Sequence, residues 1–243
     1  ALEGVELMDL KSFPGREEDR YVLDVQNPEI VFTQGYNATP VFYNDIDNFM
    51  LCSFTCSEDL ISLYNCFDDQ EVKDLRLNAF FEAREDEQYK VAKVVEKVYD
   101  CFVIRSAELY LNKAEAEAML DKAEAKQTIK TLLNNRFEGG IPDVDGLNEK
   151  DLISFIRDER RRELCFEAHR WFDLRRYAVS SKYPEKKSIR HETYDKNGVL
   201  EGDYVLKPYG EDPAWVLPIP GYEIVYNQGN LVDNPQRVEM KLE

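Results

Sequence analysis

Apolar residues recur every three or four positions in three stretches of the chain, which is the spacing of amphipathic helices. In residues 99–120 the apolar side consists of Val103, Ala107, Tyr110, Leu111, Ala114 and Ala118. Asp121 is suited to cap a second helix, whose apolar side comprises Ala125, Ile129, Leu132, Leu133 and Phe137. Gly139 and Gly140 are expected to end that helix.

The third stretch, residues 149–178, predicts further helices, with Asn148 as the N-cap and Asp151 in the first turn. Its apolar positions are Leu152, Phe155, Ile156, Leu164, Ala168, Trp171, Phe172 and Leu174. The first two helices, with alanines at their contact, resemble one tetratricopeptide unit of about 34 residues. Such a unit cannot bury its own apolar side, so the third stretch is expected to cover it.

Acidic and basic residues alternate at helical spacing in DERRRELCFEAHRWFDLRR, residues 158–176. On a helix Glu159 would face Arg162, Glu167 would face Arg170, and Asp173 would face both Arg170 and Arg176. Several of these charges lie on or beside the apolar side, and buried carboxylates require guanidinium partners. The pattern therefore predicts a structural ion-pair network rather than a catalytic site. Its members are Glu159, Arg160, Arg162, Glu163, Glu167, Arg170, Asp173 and Arg176.

The remaining sequence predicts loops with a few short strands. EIVFTQGY, starting at Glu29, has the composition of a strand, and Ser57 is suited to start a helix that runs through Leu63. Residues 196–198, Lys-Asn-Gly, predict a hairpin turn, and residues 222–226 a helical turn. We expect a mainly α protein with a tetratricopeptide-like helical core at 99–178. Loop-rich regions at 1–98 and 179–243 complete what we expect to be one structural unit.

Composition narrows the possible functions. The net charge of −17 argues against nucleic acid as a partner, because a phosphate backbone would be repelled. The five cysteines, an odd number, are scattered through a chain that is large enough not to need a disulfide framework, so we expect buried free thiols. They are Cys52, Cys56, Cys66, Cys101 and Cys165. Only two histidines are present, and Glu167 and His169 are two positions apart, so a helix would point them to different sides. We predict no metal site and no cofactor.

Several blocks, in order along the chain, resemble the SusD/RagB family. They are NPEIVFTQGY, SEDLISLYN with DLRLNAFF, VIRSAELYLNKAEA, ERRRELCFEAHRWFDLRRY and AWVLPIPGYEIVYNQGNLVDNP. The resemblance implies an outward-facing outer-membrane lipoprotein that binds a glycan or another nutrient and delivers it to a TonB-dependent, SusC-like transporter. It also implies that the chain corresponds to the C-terminal half of a typical member. Family members are attached to the membrane by a lipid anchor, and the sequence of this chain does not show that anchor.

Aromatic side chains in loops suit glycan binding, because sugar rings pack on flat apolar faces while neighbouring polar groups bond the hydroxyls. The candidates are Tyr36, Asn37, Phe42, Tyr43, Asn44 and Asp45. Packing of the loop itself is the alternative role for them, and Tyr209, Trp171 and Trp215 are assigned to structure. Two other functions stay open: a glycan hydrolase with two converging carboxylates, and a helical-repeat adaptor that binds only protein.

Overall fold

The computed structural model describes residues 4–235 apart from 19, 25, 35–55, 68–71, 84–88, 94–101 and 196. In these residues the protein is mainly α-helical, with short strands that pair two by two. The chain divides into two compact units, Ala1–Arg170 and Trp171–Glu243. The predicted mainly α fold is confirmed.

The first unit contains five described α-helices: α1 (Glu58–Asn65), α2 (Arg76–Phe80), α3 (Ser106–Met119), α4 (Glu124–Leu133) and α5 (Glu149–Glu163). Three antiparallel strand pairs accompany them: β1 (Ile30–Gln34) with β5 (Phe102–Arg105), β2 (Lys73–Asp74) with β6 (Phe137–Glu138), and β3 (Phe81–Ala83) with β4 (Tyr89–Val91). Two short 3₁₀-helices, Leu10–Ser12 and Gly15–Glu18, precede β1. The predicted strand in EIVFTQGY is confirmed as β1.

Helix α3 packs against both α4 and α5. Small residues make this possible: Ala107, Ala114 and Ala118 are buried and allow the helices to approach closely. Helix α4 buries Ala125, Ile129, Leu132 and Leu133 on its apolar side. The expected helix pair with a third helix against it is therefore present.

The predicted bounds of this pair need correction. Residues 102–105 form β5 instead of helix, because they pair with β1, and α3 begins only at Ser106. Asp121 is not an N-cap: it adopts a left-handed conformation (φ 55°) in the turn, and Ala123 precedes α4. Helix α4 ends at Leu133, and Phe137 belongs to β6, where it pairs with Asp74.

Helix α5 starts as predicted. The side chain of Asn148 accepts a hydrogen bond from the Asp151 amide at 3.1 Å. Ser57 is likewise at the N-cap of α1, but its side chain makes no capping hydrogen bond. The end of α5 differs from the prediction, because the chain leaves the helix at Leu164 and turns through Phe166 and Ala168, both left-handed (φ 62° and 64°).

The apolar core of the first unit lies among α1, α2, the β3–β4 pair and the turn after α5. Its buried members include Leu60, Tyr64, Phe80, Phe81 and Cys165. The rings of Tyr64 and Phe81 pack edge to face at 5.4 Å between centroids. The Tyr64 hydroxyl donates to the Arg162 carbonyl at 2.7 Å, which connects α1 to the end of α5.

The second unit contains α6 (Arg170–Ala178), the antiparallel strands β7 (Ile189–Tyr194) and β8 (Leu200–Leu206), a 3₁₀-helix (Pro213–Trp215) and α7 (Gly221–Tyr226). The predicted hairpin is confirmed. Its turn is held by Asp195, whose carboxylate accepts the amides of Asn197 and Val199 at 2.8 Å each. Helix α7 confirms the predicted helical turn at residues 222–226.

Aromatic packing organises part of this second unit. Trp215 is buried, and its indole Nε1 donates to the Lys207 carbonyl at 2.7 Å. The ring of Trp171 lies 4.5 Å from that of Trp215. Trp171 is only half-buried and Phe172 is exposed, so the prediction that both lie on a buried side is wrong.

Candidate functional site

The most unusual feature of the described residues is a group of ten charged side chains joined by hydrogen bonds and ion pairs inside the first unit. We call it the charged cluster. Its carboxylates are Glu29, Asp74, Glu159, Glu163 and Glu167, and its cations are Arg76, Lys93, Arg105, Arg136 and Arg162. The five negative charges equal the five positive charges, so the cluster is neutral as a whole.

Glu163, the last residue of α5, is at the centre of the charged cluster and is fully buried. Its Oε1 accepts from Arg105 Nη1 at 2.6 Å and from Arg136 Nη2 at 3.0 Å. Its Oε2 accepts from Arg136 Nε at 2.9 Å and from Arg76 Nη1 at 3.1 Å. Three arginines from three separate segments therefore converge on one carboxylate.

On one side of Glu163, Arg76 connects the start of α2 to α5. Its guanidinium donates to both oxygens of Asp74 at 2.9 and 2.7 Å and to Glu159 at 2.5 Å. The second oxygen of Glu159 accepts from Arg162 Nε at 2.8 Å. Glu159 and Arg162 are thus neighbours one helical turn apart, as their spacing predicts.

On the other side, Arg105 is the hub. It donates to Glu29 at 2.8 Å and, through Nε and Nη2, to the two oxygens of Glu167 at 2.8 Å each. Glu29 also accepts from Arg136 at 2.6 Å, and Glu167 pairs with Lys93. The residue before β1, the end of β5 and the turn after α5 are joined in this way.

The electrostatics favour ionised carboxylates. Burial alone would raise the pKa of Glu163, but Arg136, Arg105 and Arg76 outweigh burial and hold that pKa well below its ordinary value. Arginines lower the pKa of Glu159 and of Glu167 against burial in the same way. Burial would lower the pKa of Arg76 and of Arg105, but the surrounding carboxylates raise both.

Carbonyl groups at the end of α5 take part as well. Lys93 Nζ donates to the carbonyls of Glu163 (2.8 Å) and Cys165 (3.1 Å), and Arg105 Nη2 donates to that of Glu163 (2.7 Å). The last carbonyls of a helix lack partners within the helix and carry a partial negative charge. Lys93 and Arg105 thus supply hydrogen bonds to the carbonyls at the end of α5. Lys93 Nζ also lies 4.1 Å from the ring centroid of Phe80.

This arrangement restricts what the carboxylates can do chemically. Each oxygen of Glu163 already accepts two hydrogen bonds, and the side chain is sealed from solvent. A general acid or base must reach the proton it transfers in a plausible substrate pose. The charged cluster therefore has the geometry of a scaffold. Among the described residues, no group of three or more His, Cys, Asp or Glu side chains could hold a metal ion.

The other residues predicted for this network lie elsewhere. Arg160 faces α3, where it donates to Asn112 Oδ1 at 2.7 Å and lies 3.7 Å from Glu108. Glu167 lies in the turn after α5 and not on the predicted helix, and it pairs there with Arg105 and Lys93. Arg170 begins α6, and Asp173 accepts from Arg176 at 3.0 Å within that helix, in the second unit.

Six members of the charged cluster were not predicted: Glu29, Asp74, Arg76, Lys93, Arg105 and Arg136. Except for Asp74, which pairs with nearby Arg76, each contacts partners that are distant along the chain; Glu29 and Arg136, for example, are 107 positions apart. One signal was available in the sequence, namely single charges set among apolar residues, as in CFVIRSA and TLLNNRF.

The predicted ligand residues, Tyr36, Asn37, Phe42, Tyr43, Asn44 and Asp45, lie outside the described residues. Cys52 and Cys101 lie outside them as well. Of the other cysteines, Cys56 and Cys165 are buried free thiols, whereas Cys66 is free and exposed, which corrects the expectation for that residue. No described helix is long and apolar enough to cross a membrane.

The fold is a mainly α arrangement in which a tetratricopeptide-like helix pair packs against a third, ion-paired helix. The chain belongs to the SusD family, whose sequence model matches residues 84–236. The resemblance seen in the sequence is thereby confirmed.

Individual relatives agree with this assignment. SusD-like protein P2 of Formosa agariphila is 28% identical over 142 residues, which are 54% of this chain and 25% of that protein. SusD-like protein P38 of the same organism is 40% identical over 79 residues, which are 30% of this chain and 16% of the relative.

Solved structures share the fold. A SusD superfamily protein from Bacteroides thetaiotaomicron superposes with a TM-score of 0.64 at 20% identity, covering 96% of this chain and 53% of that one. A SusD-like carbohydrate binding protein from Bacteroides vulgatus gives 0.54 at 18% identity, covering 93% and 52%. The matches thus cover about half the length of the solved relatives and a quarter or less of the curated ones.

Proposed function

We propose that this protein is a non-catalytic, outward-facing nutrient-binding protein of the outer membrane, which binds a glycan and delivers it to a TonB-dependent, SusC-like transporter. Membership of the SusD family carries the proposal. The name of one solved relative, a SusD-like carbohydrate binding protein, supports a glycan as the ligand.

The charged cluster is consistent with a binding role without chemistry. Its carboxylates are buried and bonded to arginine and lysine side chains, so they stabilise the fold and leave substrate to other surfaces. We assign ligand binding to the loop that carries Tyr36, Asn37, Phe42, Tyr43, Asn44 and Asp45. Strand β1, which leads into this loop, is anchored to the charged cluster by the adjacent Glu29.

Transporter contact is assigned to the exposed side of the helix pair at residues 99–137. Asn112, Lys113 and Ala116 of α3 and Gln127 of α4 are exposed there. Their side chains are polar or small, which suits a surface that binds another protein without aggregating in its absence.

The test is a panel of soluble oligosaccharides, scored by calorimetry for binding and by chromatography for product. We expect binding without product, and weaker binding with unchanged thermal stability in the double variant Tyr36→Ala/Tyr43→Ala. Product that disappears on substitution of an Asp or Glu residue would establish a hydrolase instead. Failure to bind any sugar, together with capture of a protein partner, would establish an adaptor.

A further inference from the structure

A loop in the second unit, residues 217–234, presents apolar side chains to solvent. Two hydrogen bonds close it: the Ile219 amide donates to Asp233 Oδ1 at 2.8 Å, and Asn234 Nδ2 donates to the Leu217 carbonyl at 2.7 Å. Helix α7 lies within this loop, and none of its residues is buried. A closed loop of this kind holds its exposed side chains on a defined backbone.

One side of α7 is aromatic and highly exposed. Tyr222, Val225 and Tyr226 are 62%, 75% and 80% exposed. Residues three and four positions apart are neighbours on a helix surface, with about 5–6 Å between their Cβ atoms. Tyr222, Val225 and Tyr226 therefore share one side of the helix, and among the described residues neither tyrosine hydroxyl has a hydrogen-bond partner.

Amide side chains follow this aromatic side directly. Helix α7 is succeeded by Asn227, Gln228, Gly229 and Asn230, all exposed. Gln228 and Gly229 are both left-handed (φ 51° and 82°), and the Asn230 amide donates to the Asn227 carbonyl at 2.9 Å. A non-glycine residue in this conformation is uncommon and strained. The chain therefore turns directly after α7, so exposed amide side chains follow the tyrosines within a few residues.

Charge narrows the class of ligand. Residues 217–234 contain no Lys, Arg or His, and their two acids are Glu223 and Asp233. Asp233 is engaged in closing the loop. Without a cation the surface does not suit phosphate, sulfate or acidic sugars. Tyrosine faces with adjacent amides suit a neutral sugar, whose C–H face packs on the ring while its hydroxyls bond the amides.

We propose that Tyr222 and Tyr226, together with Gln228 and Asn230, form a second contact surface for neutral glycans, in addition to the predicted ligand residues at positions 36–45. The proposal rests on the proposed glycan-binding function but concerns a different part of the chain. It commits to sugar as the occupant; binding of a second copy of this chain is an outcome of the test.

The experiment measures Kd for amylose, xylan, galactomannan and laminarin with the full chain and with Tyr222→Ala, Tyr226→Ala and the double variant. We expect each single change to raise Kd by roughly 2- to 10-fold and the double change by roughly 10-fold or more. Tyr222→Phe/Tyr226→Phe should stay near the parent value, since stacking needs the ring. Tyr194→Ala removes another exposed tyrosine of the second unit and should change nothing.

Thermal unfolding checks that each variant is folded, which we expect because no residue of α7 is buried. If the parent binds a glycan and the double alanine variant binds it equally well, this second surface is refuted and the proposed function stands. If the parent binds none of the glycans, both are refuted. Self-association of the parent that the double variant loses would assign the surface to a second copy and also refute the proposal.

Discussion

Substitution of Glu163 by Gln tests the charged cluster most directly, because it keeps the shape of the side chain and removes one charge. The carboxylate accepts four hydrogen bonds, two on each oxygen, from Arg76, Arg105 and Arg136. A Gln amide can accept on one side only; the NH₂ group on the other side meets two guanidinium donors. Two charged hydrogen bonds are lost whichever way the amide points.

The magnitude follows from these contacts. Hydrogen bonds to charged groups contribute about 1.5–3 kcal/mol each, so two lost bonds amount to about 3–6 kcal/mol. Removing one partner from a buried ion pair costs about 3–5 kcal/mol by direct comparison. We therefore expect Glu163→Gln to lower the free energy of unfolding by about 3–5 kcal/mol. That is a large share of the roughly 5–15 kcal/mol of a typical domain.

Denaturation in urea measures this loss as a lower midpoint at an unchanged slope. The matched control is Glu138→Gln, an exposed carboxylate in β6, which should change stability by less than about 0.5 kcal/mol. A loss at Glu163 no larger than in this control would refute the view that the cluster is buried and charged.

A double-mutant cycle separates charge imbalance from general disruption. Arg136→Met removes one cation, so in combination with Glu163→Gln the cluster returns to equal numbers of positive and negative charges. The double variant should lose about 0.5–3 kcal/mol less than the sum of the single losses. Strict additivity would show that the two side chains act independently.

Three further outcomes are expected. The pKa of Glu163 is lowered in the folded state, so the stabilisation from this carboxylate is present above its ordinary pKa of 4.5 and is lost as the pH falls through the lowered pKa. Urea midpoints measured at a series of pH values should therefore decrease once the pH is below 4.5. Midpoints that stay constant in that range would contradict this. Asn148→Ala should destabilise by about 1 kcal/mol in urea melts because it removes a capping hydrogen bond, whereas Ser57→Ala should cost less than about 0.5 kcal/mol, since Ser57 makes none; equal losses would count against the capping assignment. Iodoacetamide should label Cys66 in the folded protein and Cys165 only after unfolding, because Cys165 is buried and burial raises its pKa; peptide mass mapping would decide, and early labelling of Cys165 would argue against burial.

Much of the helical core could be predicted because its pattern is local. The apolar spacing of α3 to α5 and the cap at Asn148 depend on residues within a few positions of one another. The predicted helix ends were wrong where contacts with residues distant along the chain decide the conformation. Phe102–Arg105 continues a helical pattern but pairs with β1, and Phe137 pairs with Asp74.

In the charged cluster, too, contacts between residues close in sequence could be predicted and contacts between distant residues could not. Glu159 and Arg162 could be paired from their spacing because they share a helix. The partner of Glu167 could not, because the helix ends at Glu163 without a glycine or proline to mark the end, and left-handed Phe166 and Ala168 redirect the chain. Glu167 pairs with Lys93 and Arg105, which are distant along the chain, and no local sequence pattern contains such tertiary contacts.

The charged cluster also has a consequence for how the chain folds. Its pairs connect residues 58, 87 and 107 positions apart, for Arg105 with Glu163, Arg76 with Glu163 and Arg136 with Glu29. While the segment that carries Glu29, Arg105 or Arg136 is missing, the remaining charges do not balance, and taking them out of water is unfavourable. Closing such long loops is slow, because the chain loses conformational entropy before the ion pairs form. The first unit should therefore assemble in one cooperative step, late in folding. Until the last strand or turn has taken its place, the charged side chains at its centre should stay hydrated.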